Sequence, residues 1–247
     1  MKAAVGNESE MAKLDRIARE YREPDAGRRI DQRLISLLVG RTIPWMTGPE
    51  VLEMGSGDDQ WTKRLIEHFG HSHLVDGSRT LIEAAQKRYG AKLTTYHCLF
   101  EELKPGKEFD TVLSSLVLEH VADPVKVLAT AAQWLKPQGH LIVIVPNALS
   151  LHRRLAVAMG LARVADELGA SDVRLGHRWV FTIPRIEADL AKAGLQIVRQ
   201  AGWLTKPLPQ AMMTEFSDAL LKGLMKLGDE LPREYACFLA FDCRRSP

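Results

Sequence analysis

The sequence predicts an α/β chain built on a doubly wound sheet, and three observations carry that expectation. Strand-like apolar runs alternate with helical patterns of roughly 10–15 residues through most of its length. The first strand runs directly into a glycine turn, Gly55-Ser56-Gly57, that opens onto an amphipathic helix. The second strand ends on an acid, Asp76, 21 residues after Gly55.

Two helices come first, over 9–22 and 28–43; in the second, Ile30, Leu34, Leu37 and Leu38 recur at helical spacing. Strand one is Glu50 to Met54, and Trp61, Leu65, Ile66 and Phe69 then make one helical face. Strand two, from His73, ends at Asp76, and a helix begins near Ser78 or Thr80, where Thr80 and Glu83 have the spacing of a capping box. A short third strand covers Lys92 to His97. The fourth, Phe109 to Ser114, is almost continuously apolar, as a strand buried on both faces should be. Asp123-Pro124 is a strong helix start, with an acid to cap and a proline in the first turn. Strand five, "HLIVIVP", follows the turn Leu135-Lys-Pro-Gln-Gly139. The alternation pauses over 147–181 and resumes with a helix from Pro184 to Ala193, a strand from Gln196 to Trp203, a helix over about 210–227 and a strand from Tyr235 to Asp242. The expected layout is one domain over 1–247: a helical cover (1–45), a ligand-binding core (46–146), an inserted cap (147–181) and the rest of the sheet (182–247).

Composition excludes several classes. With 247 residues, 46% hydrophobic and 26% charged, the chain can bury an ample core. A net charge of +2 without a basic tail or stripe argues against a nucleic-acid partner. Cys98, Cys237 and Cys243 lack metal-ligand spacing and read as reduced thiols; His68, His71, His73 and His97 lack it too, so no metal is expected. The polar N-terminus does not read as a signal peptide, and the longest apolar run, Leu141 to Pro146, is far short of a membrane span. A cytoplasmic protein, monomer or homodimer, is expected.

The turn at Gly55 decides what is bound. In open α/β sheets ligands sit at the carboxyl ends of the strands, and Gly55 and Gly57 allow a sharp turn and a close backbone approach there. A carboxylate at Asp76 can accept both hydroxyls of a ribose. A dinucleotide fold would place a third glycine where Gln60 stands, and a pyrophosphate would meet Glu53, Asp58 and Asp59, each repelling it by about 1–4 kcal/mol at intermediate dielectric. An adenosine carrying an ammonium and a sulfonium has the opposite preference, and S-adenosylmethionine is that ligand. Asp58 and Asp59 also suit the N-terminus of the next helix.

From Val51 to Val145 the chain resembles the class I S-adenosylmethionine-dependent methyltransferases, of the small-molecule type. The resemblance lies in Glu53-Met-Gly55-Ser-Gly57-Asp-Asp59, with Asp59 in place of the family's third glycine, in Asp76, in Cys98-Leu-Phe-Glu-Glu102, in Ser115-Leu-Val-Leu-Glu-His-Val-Ala-Asp-Pro124, and in the turn into strand five. It implies a Rossmann-like seven-stranded sheet whose last strand is antiparallel. It also implies a cofactor site at Glu53, Gly55, Ser56, Gly57, Asp76, Gly77, Phe100, Glu101 and Ser115; Phe100 either packs on adenine or fills core.

The segment 147–181 should overhang the methyl donor, and its basic residues point to a polar or anionic small-molecule acceptor. Arg153, Arg178 and Trp179 are the candidates to hold it. A hydroxyl acceptor benefits from a general base, and a histidine has the right range. His177 and His152 are equal candidates, and His120, after strand four, is a third. The expected reaction is O-methylation of a sugar or natural-product intermediate; the alternative is N- or carboxyl methylation of a peptide or amino compound.

Overall fold

Seven apolar runs become the strands of one mixed sheet in the computed structural model, which describes residues 9–22, 26–209 and 212–246. They are β1 (Val51–Met54), β2 (Ser72–Asp76), β3 (Leu93–His97), β4 (Phe109–Ser115), β5 (Leu135–Pro146), β6 (Leu195–Trp203) and β7 (Phe238–Arg245), in the order β3-β2-β1-β4-β5-β7-β6. β1 to β5 pair in parallel, and β7 lies antiparallel between β5 and β6. This is the sheet that the resemblance implies.

The central strands are buried on both faces, and alternation sorts their side chains between two cores. Leu52, Val112, Leu141, Val143 and Phe241 pack on one face beneath α5 (Pro124–Gln133) and α8 (Ile183–Lys192). Val51, Leu113, Ile142, Ile144 and Ala240 pack on the other with α2 (Ala26–Thr42), α3 (Gln60–Phe69) and α9 (Asp218–Glu230). Between strands, α4 (Arg79–Tyr89) covers β2 and β3, and α1 (Glu10–Arg22) packs on α4.

Four local readings are corrected. α4 is capped by Ser78, whose Oγ accepts from the Leu81 N–H at 3.3 Å, rather than by Thr80; the Thr80 N–H instead donates to Asp15 of α1 at 3.0 Å. β5 begins at Leu135, because Phe109 pairs with Leu135 before the register shifts to Thr111–His140 and the Lys136–Gly139 turn bulges out of a continuing strand. α9 starts at Asp218, where Ser217 caps the Leu220 N–H at 3.2 Å, and β7 starts at Phe238, after a 3-10 turn over Arg233–Tyr235. The polar first eight residues, and 210–211 where the last helix was expected to begin, lie outside the described residues. Among the described residues no helix is long and apolar enough to cross a membrane.

Residues 147–181 leave the sheet and return at one point. Asn147 and Phe181 form an isolated parallel bridge, and the Ala148 N–H donates to the Phe181 carbonyl at 2.9 Å. The Asn147 amide also donates to the carbonyls of Glu234 and Ala236, at 2.9 and 2.8 Å, which ties the base of the excursion to the entry of β7. Within it lie α6 (Leu151–Ala158) and α7 (Ala170–Arg174).

Candidate active site

Strand order reverses between β1 and β4, and both strands end at the floor of a cavity of about 1330 Å³. Gly55 leaves β1 with φ 72°, and a Cβ there would stand 3.1 Å from Val117, so the turn needs glycine on both counts. Gly57 has φ 50° and Asp59 φ 62°. Asp59 therefore keeps the left-handed backbone of the glycine it replaces, which aspartate tolerates better than most residues. Its carboxylate does not cap α3 but pairs with Arg88; the Asp58 carboxylate takes the Gln60 backbone N–H instead.

Asp76 ties the turn to the start of α4. Its Oδ2 accepts the Ser56 N–H at 2.9 Å and its Oδ1 the Ser78 N–H at 2.7 Å, and the side chain still lines the cavity. Burial raises its pKa against those hydrogen bonds. Glu53 lies behind the turn, 1% exposed, rather than on the cavity wall. One of its oxygens accepts from Thr62 Oγ1 at 2.6 Å, while Oε1 is buried without a partner. Burial pushes Glu53 well above the ordinary glutamate range, and Asp76, Asp59 and Asp58 add to the rise despite the Thr62 bond. A buried carboxylate with an open oxygen, among three other acids, is an environment that a cationic ligand relieves. Gly77, Phe100, Glu101 and Ser115 also line the cavity, and Ser115 Oγ is buried without a partner. Phe100 does two things, facing the cavity and packing on the core beneath it. Leu116, next in the chain, has φ 57°, a strained conformation for a leucine at the mouth of the site.

α1 closes this end. Asp15 accepts Ser78 Oγ–H at 2.6 Å, and the side-chain ends of Leu14 and Ile17 come so close to Gly77 and Gly176 that a Cβ would stand 2.5 and 2.7 Å from them.

Across the cavity the loop after β4 meets the excursion. The Arg178 and Trp179 N–H groups both donate to the Glu119 carbonyl, at 2.6 and 3.3 Å, and this brings His177 beside Glu119 and His120. The His120 and His177 rings meet edge to face, centroids 4.7 Å apart. His177 Nδ1 lies 3.2 Å from Asp172 Oδ1, and Arg153 donates to Asp172 Oδ2 at 2.6 Å. Burial opposes ionisation of Asp172, yet the His177 and Gly169 hydrogen bonds and the Arg153 charge hold its pKa well below the usual range. Burial lifts Glu119 to about 7, with His177 opposing, and leaves its Oε2 without a partner. Burial and the neighbouring His177, Arg178 and Lys13 push His120 down to about 3. His152 also lines the cavity, beside Ser150 Oγ at 3.1 Å; burial, Lys206 and Arg153 push it down to about 2.

The basic candidates separate. Arg153 reaches the cavity but is committed to Asp172 and to the carbonyls of Ala165 and Glu167. Arg178 and Trp179 do not line it: Arg178 pairs with Glu10 of α1, and Trp179 donates to the Val121 carbonyl at 2.8 Å while Arg185 stacks on its ring. Sequence reasoning passed over Glu119, Asp172 and Lys206, all of which line the cavity. Glu119 carried a signal, an acid beside a histidine in an otherwise apolar run; Asp172 and Lys206 carried none.

A glycine turn with a strand-end acid beneath a crowd of carboxylates defines an α/β protein that binds an adenosine-type cation. Residues 16–200 match the methyltransferase-domain family, to which the chain belongs; it is an S-adenosylmethionine-dependent methyltransferase. It is similar to ubiquinone biosynthesis O-methyltransferases of Rhodopseudomonas palustris, 27% identical over 220 residues spanning 81% of this chain and 85% of that one. A second such relative, of Azorhizobium caulinodans, is 29% identical over 175 residues, 68% of this chain and 67% of that one. Among solved structures, the N-methyltransferase NodS of Bradyrhizobium japonicum, in complex with S-adenosyl-L-homocysteine, superposes with a TM-score of 0.59 at 15% identity, over 95% of this chain and 98% of that one. The magnesium protoporphyrin IX methyltransferase of Synechocystis, with the same ligand bound, gives 0.59 at 16% identity over 95% and 94%. At such identities the likeness is one of fold.

Proposed function

We propose that the chain methylates a hydroxyl oxygen of a small, hydroxylated metabolite, a sugar or natural-product intermediate. The observation that carries this is the Glu119–His177–Asp172 arrangement on the wall opposite the glycine turn. S-adenosylmethionine would supply a methyl carbon on a sulfonium, open to in-line attack by the acceptor oxygen as the C–S bond breaks and S-adenosylhomocysteine leaves as the neutral thioether. The cofactor's ribose falls to Asp76, its charge to the acidic surroundings of Gly55 and Gly57, and the polar groups beside it to Ser115. The wall from Glu119 to His177 receives the acceptor hydroxyl and takes up its proton; Asp172 fixes the His177 tautomer so that Nε2 faces outward. The names of the curated relatives, O-methyltransferases acting in ubiquinone biosynthesis, support oxygen as the acceptor atom.

Residues 147–181 serve as the acceptor cap. Their apolar lining, with Ala156 and Leu161, suits a ring or aliphatic body. An anionic substituent would meet Lys206, 8% exposed and without an ion-pair partner among the described residues, rather than the committed Arg153 and Arg178. Positioning and exclusion of water by α1 and the cap supply most of the rate.

The test is a panel of phenols, sugar alcohols, amines and carboxylic acids incubated with the cofactor and read by mass spectrometry. Methylation confined to hydroxyls is expected. Products on amines or carboxylates alone would replace this reading with the N- or carboxyl alternative.

A further inference from the structure

We propose that Glu119, His120 and His177 form a binding site for a zinc ion on the acceptor wall. One carboxylate oxygen and one ring nitrogen from each histidine lie within 4.8 Å of one another. These are the donors that zinc prefers, and donors 2.0–2.2 Å from a tetrahedral zinc stand about 3.3 Å apart, so a modest closure of side-chain torsions completes the set. Sequence spacing hid the site: the first two ligands are adjacent after β4, and the third arrives from the excursion 57 residues after His120.

Each ligand is prepared independently. Glu119 is 1% exposed and its Oε2 has no hydrogen-bond partner, an expensive condition for a carboxylate unless something positive sits against it. His177 has one nitrogen committed, Nδ1 against Asp172 Oδ1 at 3.2 Å, which leaves Nε2 as a lone-pair donor. His120 engages the Gly176 backbone and has its other nitrogen to offer. A carboxylate or carbonyl behind each metal-bound imidazole is the usual outer shell of such sites, and Asp172 is itself steadied by Arg153 and by the Gly169 N–H at 2.9 Å.

Three protein ligands leave a fourth position open, and here it opens into the cavity. A cation there lowers the pKa of a hydroxyl presented to it, and because His177 Nε2 is then held by the ion the proton leaves to solvent, so that the metal-loaded site replaces the base that His177 supplies in the metal-free one. In that use the site rests on the O-methylation reading above; its existence does not.

The experiment is titration of chelator-treated, full-length protein with Co2+, followed by displacement with Zn2+, read by visible absorption. One Co2+ per chain is expected, with bands that Zn2+ abolishes. Glu119→Gln and His177→Ala should each weaken uptake at least about 100-fold, and Asp172→Asn about 10–100-fold. Absence of stoichiometric uptake by the wild type, or uptake unchanged in both Glu119→Gln and His177→Ala, overturns the site. S-adenosylhomocysteine binding on the same samples confirms that the variants are folded. Metal uptake without methylation of any hydroxyl would sink O-methylation and keep the site; hydroxyl methylation by protein that takes up neither ion would do the reverse.

Discussion

The two walls of the cavity are built from different materials. Around Gly55 the wall is backbone: a short turn in which Gly55 and Gly57 have φ of 72° and 50°, tied to the end of β2 by amide hydrogen bonds to Asp76. Opposite, it is side chains from three separate segments, Glu119 and His120 after β4, Arg153 on α6, and Asp172 with His177 around α7, held by ion pairs and by two hydrogen bonds to one carbonyl. The first wall depends on what a short stretch of chain can do locally. The second exists only when residues far apart in sequence meet. A binding surface for an invariant part of a ligand can be made the first way, and one that must be matched to a particular acceptor is readily made the second.

This contrast can be broken from either side. The largest effect should come from the side-chain wall: His177→Ala should lower turnover by about 10²–10⁴-fold while leaving S-adenosylhomocysteine affinity within about twofold, by steady-state kinetics and calorimetry. An equal loss in both would mean that the walls are not independent. Next, Gly55→Ala places a Cβ 3.1 Å from Val117 at a φ that alanine avoids, a strain of about 1–2 kcal/mol. It should weaken S-adenosylhomocysteine about 100-fold, or about 2.7 kcal/mol, and lower the unfolding midpoint; unchanged affinity would show that the turn stands back from the ligand. Asp76→Ala should cost about 1–3 kcal/mol of cofactor binding by loss of charged hydrogen bonds, and wild-type affinity in that variant would remove Asp76 from the site.

The smallest effect sharpens the electrostatic side. The folded pKa of Glu53 is raised, while in the unfolded chain it titrates near the ordinary value of about 4.3. The folded state therefore holds the proton more tightly, and the stability tied to it is full below about pH 4.3 and lost as pH rises through the folded value. Glu53→Gln should thus melt higher than the wild type near pH 8, by about 2–4 °C for each kcal/mol relieved. That gap should close as the pH falls towards 4.3. A gap independent of pH would mean that Glu53 titrates alike in the folded and the unfolded chain, so that its burial does not disfavour the ionised form. The same variant should bind S-adenosylhomocysteine more weakly, through loss of the negative charge behind the turn and not of a direct contact, since Glu53 lies off the cavity wall.

Much of the fold could be read in advance because strand and helix patterns are local. Alternating burial put Val112 and Leu113 on opposite faces as the pattern implied, and Asp123-Pro124 began a helix where an acid cap and a proline coincide. The misreadings come instead from contacts between residues far apart in the chain. Ser78 and Thr80 both offered a cap, and the contact with Asp15 of α1, 65 residues from Thr80, decided between them. Arg178 and Trp179 looked like acceptor ligands because they neighbour His177, but backbone bonds to the Glu119 carbonyl turn the chain so that His177 faces the cavity and they do not.

By itself the sequence determined the sheet, the glycine turn, the acid at the end of β2 and, through the crowding of carboxylates on that turn, the cationic character of the cofactor. These follow from backbone dihedral preferences, hydrophobic periodicity and Coulomb repulsion between residues close in the chain. Only the tertiary structure decided that Asp59 takes a glycine's conformation, that α1 closes over the cavity, and that Glu119, His120, Asp172 and His177 share one corner of it. Such contacts depend on where a 35-residue excursion pinned at Asn147 and Phe181 comes to rest, and packing against the loop after β4 sets that.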